Sequence, residues 1–164
     1  HVGIGQGDML TTPLQVNLWT ATIAAGGMGY VPHVIDRVVS KDGAVLFKNV
    51  PEVRVPQLPD RDAVRIVQAG MRQTVTAGSG RKLLDLPVTS AGKTGTSQFD
   101  GSDPSRTHAW YTAYAPYENP EIAITVLVEA GGEGNEAAVP IVREFLSWWA
   151  KDRVASSSAS STPE

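Results

Sequence analysis

The sequence predicts an α+β fold in which helices cover an antiparallel sheet. Three segments, near residues 13–25, 60–77 and 137–150, repeat apolar side chains at the 3.6-residue spacing of a helix face. Between the second and the third lie three short segments rich in β-branched and aromatic residues, joined by brief connections, which predicts an antiparallel meander. A chain of 164 residues is long enough to bury one core, so a single domain is expected.

The first helix has a strong start signal. Thr12 is placed to cap it, Pro13 suits the first helical position, and Gln15 completes a capping box. We expect this helix to run from Pro13 to about Ala25, where a pair of glycines follows. Its predicted apolar stripe consists of Val16, Leu18, Trp19 and Ile23.

The next predicted elements are a hairpin and a second helix. Short β-branched segments between residues 30 and 55 are divided by the turn sequence KDG at 41–43, which predicts two antiparallel strands. Asp60 is placed to cap a helix that Gly78 ends. The apolar face predicted for this helix consists of Val64, Val67, Met71 and Val75.

Three strands and a helix complete the folded part. The expected bounds are 89–98, 108–115 and 121–129 for the strands and 137–150 for the helix. The third strand is apolar on both faces from Ile122 to Val128, which indicates cover on both sides. One cover is expected from the apolar face of the final helix, which consists of Val142, Phe145, Leu146 and Trp149. We assign residues 1–152 to the folded domain and residues 153–164, rich in serine, to a disordered tail.

Composition and charge exclude several classes of function. The formal net charge of -3 and the pI of about 5.6 give no basic surface for nucleic acid or for an anionic membrane. The chain has no cysteine, and its three histidines lack metal-ligand spacing, so we predict no disulfide, no metal and no cofactor. The N-terminus has neither an initiator Met nor a signal peptide, so we expect the chain to be the C-terminal part of a longer polypeptide.

The segment SAGKTGTS at residues 90–97 places one lysine among glycines and hydroxyl side chains. A phosphate-binding loop is disfavoured, because Pro87, which has no N–H, stands where that motif needs its first glycine. On the first strand of the meander, alternation sends Lys93 to one face and Thr94 and Thr96 to the other. The glycines leave the backbone open to an extended acyl substrate, while the cation and the hydroxyls hold its carboxylate. The pattern therefore indicates a site for a peptide-like acid.

The lysine segment occurs in a distinctive order of motifs. GIGQGDMLTTPLQ precedes a helix, AGKTGTSQ lies on a strand, HAWYTAYAP lies on the next, and NPEIAITVLVE follows before a glycine-rich turn and a helix. From Gly3 to Trp149 this order resembles the C-terminal half of a class B penicillin-binding protein transpeptidase domain, of the elongation-type PBP2 branch. The resemblance implies part of a β-lactamase/transpeptidase-like fold, with the missing N-terminal half of the same domain as a partner.

The resemblance also implies an activity and roles for four residues. The family consists of serine D,D-transpeptidases that crosslink peptidoglycan stem peptides ending in D-Ala-D-Ala and are acylated by β-lactams. In the family's triplet, Lys93 would help to organise the second serine motif and attract the substrate carboxylate, and Thr94 and Gly95 would follow it. Thr96 would contact the carboxylate through its hydroxyl and supply an oxyanion-hole N–H. The family is anchored by an N-terminal helix on the outer face of the cytoplasmic membrane, in the periplasm or cell-wall space, with cell-wall elongation proteins as partners.

Two motifs of the family have no counterpart in the chain. The family's nucleophile begins a helix well before the triplet, whereas the Ser-x-x-Lys from Ser79 to Lys82 follows a helix end, so we reject Ser79 as the nucleophile. The Ser-x-Asn motif is also absent, and both are expected before His1. We therefore expect the chain alone to be inactive. His108 either lines the substrate cleft of the domain or only forms a turn. The loop at 99–107 is either a gate to that cleft or a surface connection.

Other functions stay open on the sequence. A serine β-lactamase or a β-lactam sensor of the same superfamily shares the triplet, and a non-catalytic binding module would keep the carboxylate-binding wall without the serine. A P-loop nucleotide binder ranks last. The acidic segment at 129–136 lacks the ligand pattern of a calcium loop and is interpreted as a flexible, solvated turn.

Overall fold

The described part of the chain contains three α-helices and seven strands. The computed structural model describes residues 9–99 and 101–159. The helices are α1 (Pro13–Ala24), α2 (Arg61–Thr76) and α3 (Gly134–Ala159). The strands are β1 (Gly29–Tyr30), β2 (Arg37–Val39), β3 (Val45–Lys48), β4 (Val53–Val55), β5 (Ala91–Gln98), β6 (Thr107–Ala115) and β7 (Ile122–Val128). The predicted α+β class and the antiparallel meander are confirmed.

The central sheet is a three-stranded antiparallel meander in the order β5-β6-β7. Lys93 lies opposite Thr112, and Gly95 lies opposite Trp110, across the β5–β6 pair. Residues directly opposite each other share a face, so this register decides which side chains of β6 flank the lysine segment. Among the described strands β6 is central and β5 lies at an edge, which leaves the outer edge of β5 without a strand partner there.

Helices cover both faces of this sheet. α3 packs against one face, where Val142 meets Tyr111 in the larger core cluster. α1 lies against the other face, next to the cluster around Tyr114. α2 runs beside β5 and joins both clusters, through Val75 and Met71 respectively. β7 contacts both α1 and α3, so its predicted cover on two sides is confirmed, and all four residues predicted for the α3 face contact the core.

The capping of α1 is confirmed, and its predicted apolar stripe is confirmed only in part: Ile23 packs against the core around Tyr114, whereas Trp19 does not lie in the stripe. Thr12 Oγ1 accepts a hydrogen bond from the Gln15 N–H, and Gln15 Oε1 accepts one from the Thr12 N–H. Trp19, expected in the apolar stripe, is 49% exposed, whereas Thr20 is buried. The reason is that the sheet presents hydroxyl groups to this helix: Thr20 Oγ1 lies 2.7 Å from Thr112 Oγ1.

These polar side chains form a line between α1 and the sheet, called the hydroxyl seam below. The hydroxyl seam comprises Asn17, Thr20, Thr112 and Thr125. Thr112 Oγ1 lies 2.7 Å from Thr125 Oγ1, which donates to Asn17 Oδ1 at 3.2 Å. Each of these hydroxyls has a partner, so their removal from water is compensated. α1 is therefore held to the sheet partly by hydrogen bonds, in addition to the apolar contact that Ile23 makes with the core.

α2 is capped as predicted, and one residue of its predicted face points elsewhere. Asp60 Oδ1 accepts a hydrogen bond from the Ala63 N–H at 2.8 Å. The buried members of the predicted face are Val64, Met71 and Val75. Val67 is 44% exposed, and Gln68 instead faces the end of α1, where its Nε2 donates to the Ile23 carbonyl at 2.7 Å. The last carbonyls of a helix lack intrahelical donors, so a glutamine amide is favoured at this contact.

The predicted hairpin is confirmed, with β2 and β3 paired antiparallel. Its turn is closed by the Ser40 N–H, which donates to the Ala44 carbonyl at 2.8 Å. β1 and β4 form a second antiparallel pair that the sequence analysis did not predict. Both strands are very short and lie on either side of the hairpin, so their local sequences carry little strand signal.

α3 differs from its predicted bounds at both ends. It begins at Gly134 and continues to Ala159, with Pro140 inside it. Residues 153–159 of the predicted tail are thus helical in the structure, and residues 160–164 lie outside the described residues. Disorder of the tail in solution stays a prediction. No helix in the described ranges is long and apolar enough to span a membrane.

Candidate functional site

β5 presents the lysine segment along the sheet edge. Lys93 shares a face with Thr112 and therefore lies on the α1 side of the sheet. Thr94 lies opposite Tyr111, which belongs to the core on the α3 side. The predicted alternation of the two faces is confirmed. Thr94 also contacts the turn after α2, because Ser79 Oγ lies 2.7 Å from Thr94 Oγ1.

The Lys93 side chain is exposed and bends along its own strand. Its Nζ donates to the carbonyl oxygen of Thr94 at 2.6 Å. None of the described carboxylates forms an ion pair with this ammonium. A lysine ammonium has three donors and a full positive charge, so most of its capacity is left for an anion at this edge.

Two glycines make room for the Tyr111 side chain beneath the lysine segment. A Cβ added at Gly80 would lie 2.7 Å from Tyr111 Oη, and one at Gly92 would lie 2.7 Å from Tyr111 Cζ. The Tyr111 hydroxyl is buried and has no hydrogen-bond partner among the described residues, and its burial raises its pKa. Both glycines are therefore needed for packing, whatever ligand the edge binds.

Thr96 contacts the turn that follows β7. Its Oγ1 donates to Glu133 Oε2 at 3.1 Å. The neighbouring Gly134 starts α3 so close to the sheet that an added Cβ would lie 2.7 Å from the Gly95 carbonyl oxygen, and closer still to that of Trp110. A side chain would clash with both oxygens, so only glycine permits this approach of two backbones. The turn is therefore docked on the lysine segment.

Residues 129–134, called the glycine turn below, are also tied to the start of β6. The Ala130 N–H donates to His108 Nδ1 at 3.1 Å. Thr107 Oγ1 donates to the Gly132 carbonyl, and the Gly132 N–H donates to the Thr107 carbonyl, both at 3.1 Å. Hydrogen bonds and close packing therefore hold this segment on β5 and β6, and residues 134–136 of the predicted 129–136 turn belong to α3. The flexibility of the turn stays a prediction.

His108 makes structural contacts. Its ring stacks on Phe99 with centroids 4.1 Å apart, and the Arg106 guanidinium lies 4.9 Å from the centre of the same Phe99 ring. These contacts fit the turn-forming alternative. A role of His108 in the cleft, and of the loop at 99–107 as a gate, stays a prediction.

The Ser-x-x-Lys sequence from Ser79 to Lys82 does not form a serine–lysine pair. Lys82 Nζ donates to the Asn135 carbonyl at 3.1 Å and lies 3.4 Å from a carboxylate oxygen of Glu136. Ser79 Oγ instead contacts Thr94. A general base has to lie within hydrogen-bond reach of the hydroxyl that it activates. The geometry therefore agrees with the rejection of Ser79 as the nucleophile.

Glu133 and Gly134 are the two residues beside the lysine segment that sequence reasoning missed. Their only sequence signal is a glycine-rich run before a helix, and that signal does not reveal the contact with β5.

In residues 9–99 and 101–159, no group of three or more His, Asp or Glu side chains is placed to hold a metal ion. A surface cleft of 280 Å³ lies between the end of α1 and the start of α2, and its lining contains no residue of β5.

Comparison with known proteins identifies the family. Residues 1–147 match the penicillin binding protein transpeptidase domain. Peptidoglycan D,D-transpeptidase MrdA of Haemophilus influenzae is 33% identical over an alignment of 173 positions. The alignment covers 93% of this chain and 26% of MrdA. The chain thus spans about a quarter of the length of this relative.

Two solved structures share the fold. Penicillin-binding protein A from M. tuberculosis, as a ceftriaxone acyl-enzyme complex, matches with a TM-score of 0.74 and 32% identity over 85% of this chain and 32% of its own. Pseudomonas aeruginosa PBP2 in complex with WCK 5153 matches with a TM-score of 0.73 and 34% identity over 90% of this chain and 32% of its own. The predicted transpeptidase-like fold and the similarity to PBP2 are confirmed. This chain therefore belongs to the family of penicillin-binding protein transpeptidase domains.

Proposed function

We propose that the chain forms one wall of the active site of a serine D,D-transpeptidase, called the lysine-strand wall below and made by residues 93–96 of β5. The enzyme crosslinks peptidoglycan stem peptides ending in D-Ala-D-Ala. The observation that carries this proposal is the edge position of β5, where the exposed Lys93 ammonium has no carboxylate partner among the described residues. In the proposed reaction a serine Oγ attacks the carbonyl of the D-Ala-D-Ala amide. The C–N bond breaks, D-alanine leaves with the proton, and an acceptor amine then takes the acyl group and frees the serine.

Residues 93–96 of the lysine segment have roles in this proposal. The positive charge of Lys93 attracts the terminal carboxylate of the donor peptide, and the Thr94 and Thr96 hydroxyls hydrogen-bond it. The Thr96 N–H supplies one donor of the oxyanion hole, a contribution of about 3 kcal/mol per donor in serine enzymes. Gly95 allows both the donor peptide and the glycine turn to approach the backbone.

The serine and its lysine base are expected on the N-terminal half of the same domain. On α1, Leu14 is 57% exposed and Trp19 is 49% exposed, so these side chains offer an apolar surface to that half. Following its family, the whole protein is expected on the outer face of the cytoplasmic membrane, in the periplasm or cell-wall space, held by an N-terminal helix. Its proposed partners are stem peptides, β-lactams and cell-wall elongation proteins.

The experiment that tests this function is labelling of the full-length protein with a fluorescent penicillin. Wild type should form a stable covalent adduct at a serine outside this chain. Lys93→Ala should slow acylation strongly, because the carboxylate of the drug loses its cation, while Ser79→Ala should still be labelled. An adduct at Ser79, or an unchanged acylation rate in Lys93→Ala, would overturn the assignment.

The same labelled protein separates the related functions. Slow loss of the label, with crosslinking of stem peptides in a wall-synthesis assay, supports the transpeptidase. Rapid release of hydrolysed drug is the result expected of a serine β-lactamase. Reversible binding without a covalent adduct is the result expected of a non-catalytic binding module.

A further inference from the structure

The Thr96 hydroxyl already has a hydrogen-bond partner within the chain. Its single proton is donated to Glu133 Oε2 at 3.1 Å. A donor carboxylate bound at Thr96 requires the same proton. Binding therefore breaks the Thr96–Glu133 hydrogen bond and leaves two carboxylates close together, and like charges at such a distance repel each other.

The main chain of Glu133 is held in place, so the residue does not simply move away. Its carbonyl accepts hydrogen bonds from the N–H groups of Glu136 and Ala137, both at 3.1 Å. The adjoining Gly134 is packed against the backbones of β5 and β6. Only the exposed side chain of Glu133 is left to rotate, and rotation keeps its charge within a few ångströms of the carboxylate-binding edge.

We propose that Glu133 is a specificity-determining residue of the lysine-strand wall, which selects ligands by the charge of the group beside their carboxylate. A cationic group there is attracted by Glu133 once Thr96 has turned to the ligand. A neutral group gains no such attraction. The proposal deepens the proposed function and rests on it, because it takes Thr96 as the group that receives the donor carboxylate.

Two cephalosporins test the proposal in the full-length protein. Cefotaxime and cefepime share their acyl side chain and differ beside the carboxylate, where cefotaxime has a neutral acetoxymethyl group and cefepime a cationic one. Second-order acylation rates are measured for both drugs. Two unit charges about 6 Å apart in water change an equilibrium about threefold. Glu133→Gln should therefore lower the cefepime/cefotaxime rate ratio about threefold, and it should raise the cefotaxime rate because the repulsion of the carboxylate is lost.

Glu136→Gln is the matched control. This variant removes a carboxylate in the first turn of α3, three residues after Glu133. The Glu136 carboxylate is paired with Lys82 and not with Thr96. Its rate ratio should equal that of wild type, and both variants should keep the wild-type thermal transition. Equal ratios in Glu133→Gln and wild type would overturn the specificity inference and leave the proposed function intact. Failure of both drugs to acylate wild type would instead overturn the proposed function, and the inference with it.

Discussion

Replacement of Gly134 by alanine tests whether α3 is docked on the lysine segment as closely as described. An added Cβ would lie 2.7 Å from the Gly95 carbonyl oxygen, whereas ordinary contact begins at 3.4 Å. The start of α3 therefore has to move by at least the difference, about 0.7 Å, and by more than this to relieve the closer clash with the Trp110 carbonyl oxygen. Overpacking of this size costs about 1–3 kcal/mol. Urea unfolding of the full-length protein should show this loss.

The displacement should also reach the site. Glu133 precedes the substituted residue, so its hydrogen bond to Thr96 should lengthen. The rate of acylation by cefotaxime should therefore change in the same direction in Gly134→Ala as in Glu133→Gln. Gly70→Ala is the control, because Gly70 lies within α2 and an added Cβ meets nothing within 4 Å. It should stabilise the protein by about 0.5–1 kcal/mol, since alanine loses less backbone entropy than glycine in a helix. An unfolding free energy of Gly134→Ala equal to that of wild type would refute the close approach.

Two further predictions concern stability. Burial raises the pKa of Tyr114 to about 12 and raises that of Tyr111 as well, so the folded state keeps both protons at pH values where the unfolded chain loses them. The stabilisation is complete below pH 10 and is lost as pH rises through the folded pKa, at about 1.4 kcal/mol per pH unit for Tyr111. Tyr111→Phe should reduce this alkaline loss in urea unfolding measured from pH 9 to 12, and an unchanged pH dependence would contradict the burial of the hydroxyl. The 164-residue chain alone should unfold without a sharp thermal transition, because Leu14 and Trp19 on α1 leave about half of their surface exposed to water. A cooperative transition would contradict this.

Local signals in the sequence predicted the starts of α1 and α2 correctly. The caps at Thr12 and Asp60 depend only on residues within one turn, so the sequence contains all the information that they need. The same holds for the strands of the meander, whose turns and β-branched residues are local. The position of Trp19 in the apolar stripe of α1 was predicted wrongly because the partner of the helix decides which side chains are buried. Thr20 is buried and Trp19 exposed since Thr112, far along the chain, presents a hydroxyl.

The candidate site was predictable in its strand and not in its surroundings. The lysine triplet is a short motif, and its order among other motifs indicates the family. The contact of Glu133 with Thr96 depends on the path of the glycine turn over β5 and β6, which no local pattern specifies. Glycine runs before helices are common in flexible turns, so the need for glycine at Gly134 becomes apparent only from the backbone oxygens that face it.

The hydroxyl seam limits how far α1 is able to move relative to the meander. Sliding α1 along the sheet by one turn, about 5.4 Å, would separate the Thr20 and Thr112 hydroxyls that now lie 2.7 Å apart. It would also break the link from Thr125 to Asn17. Because these hydrogen bonds fail together, α1 and the meander are expected to move as one rigid body.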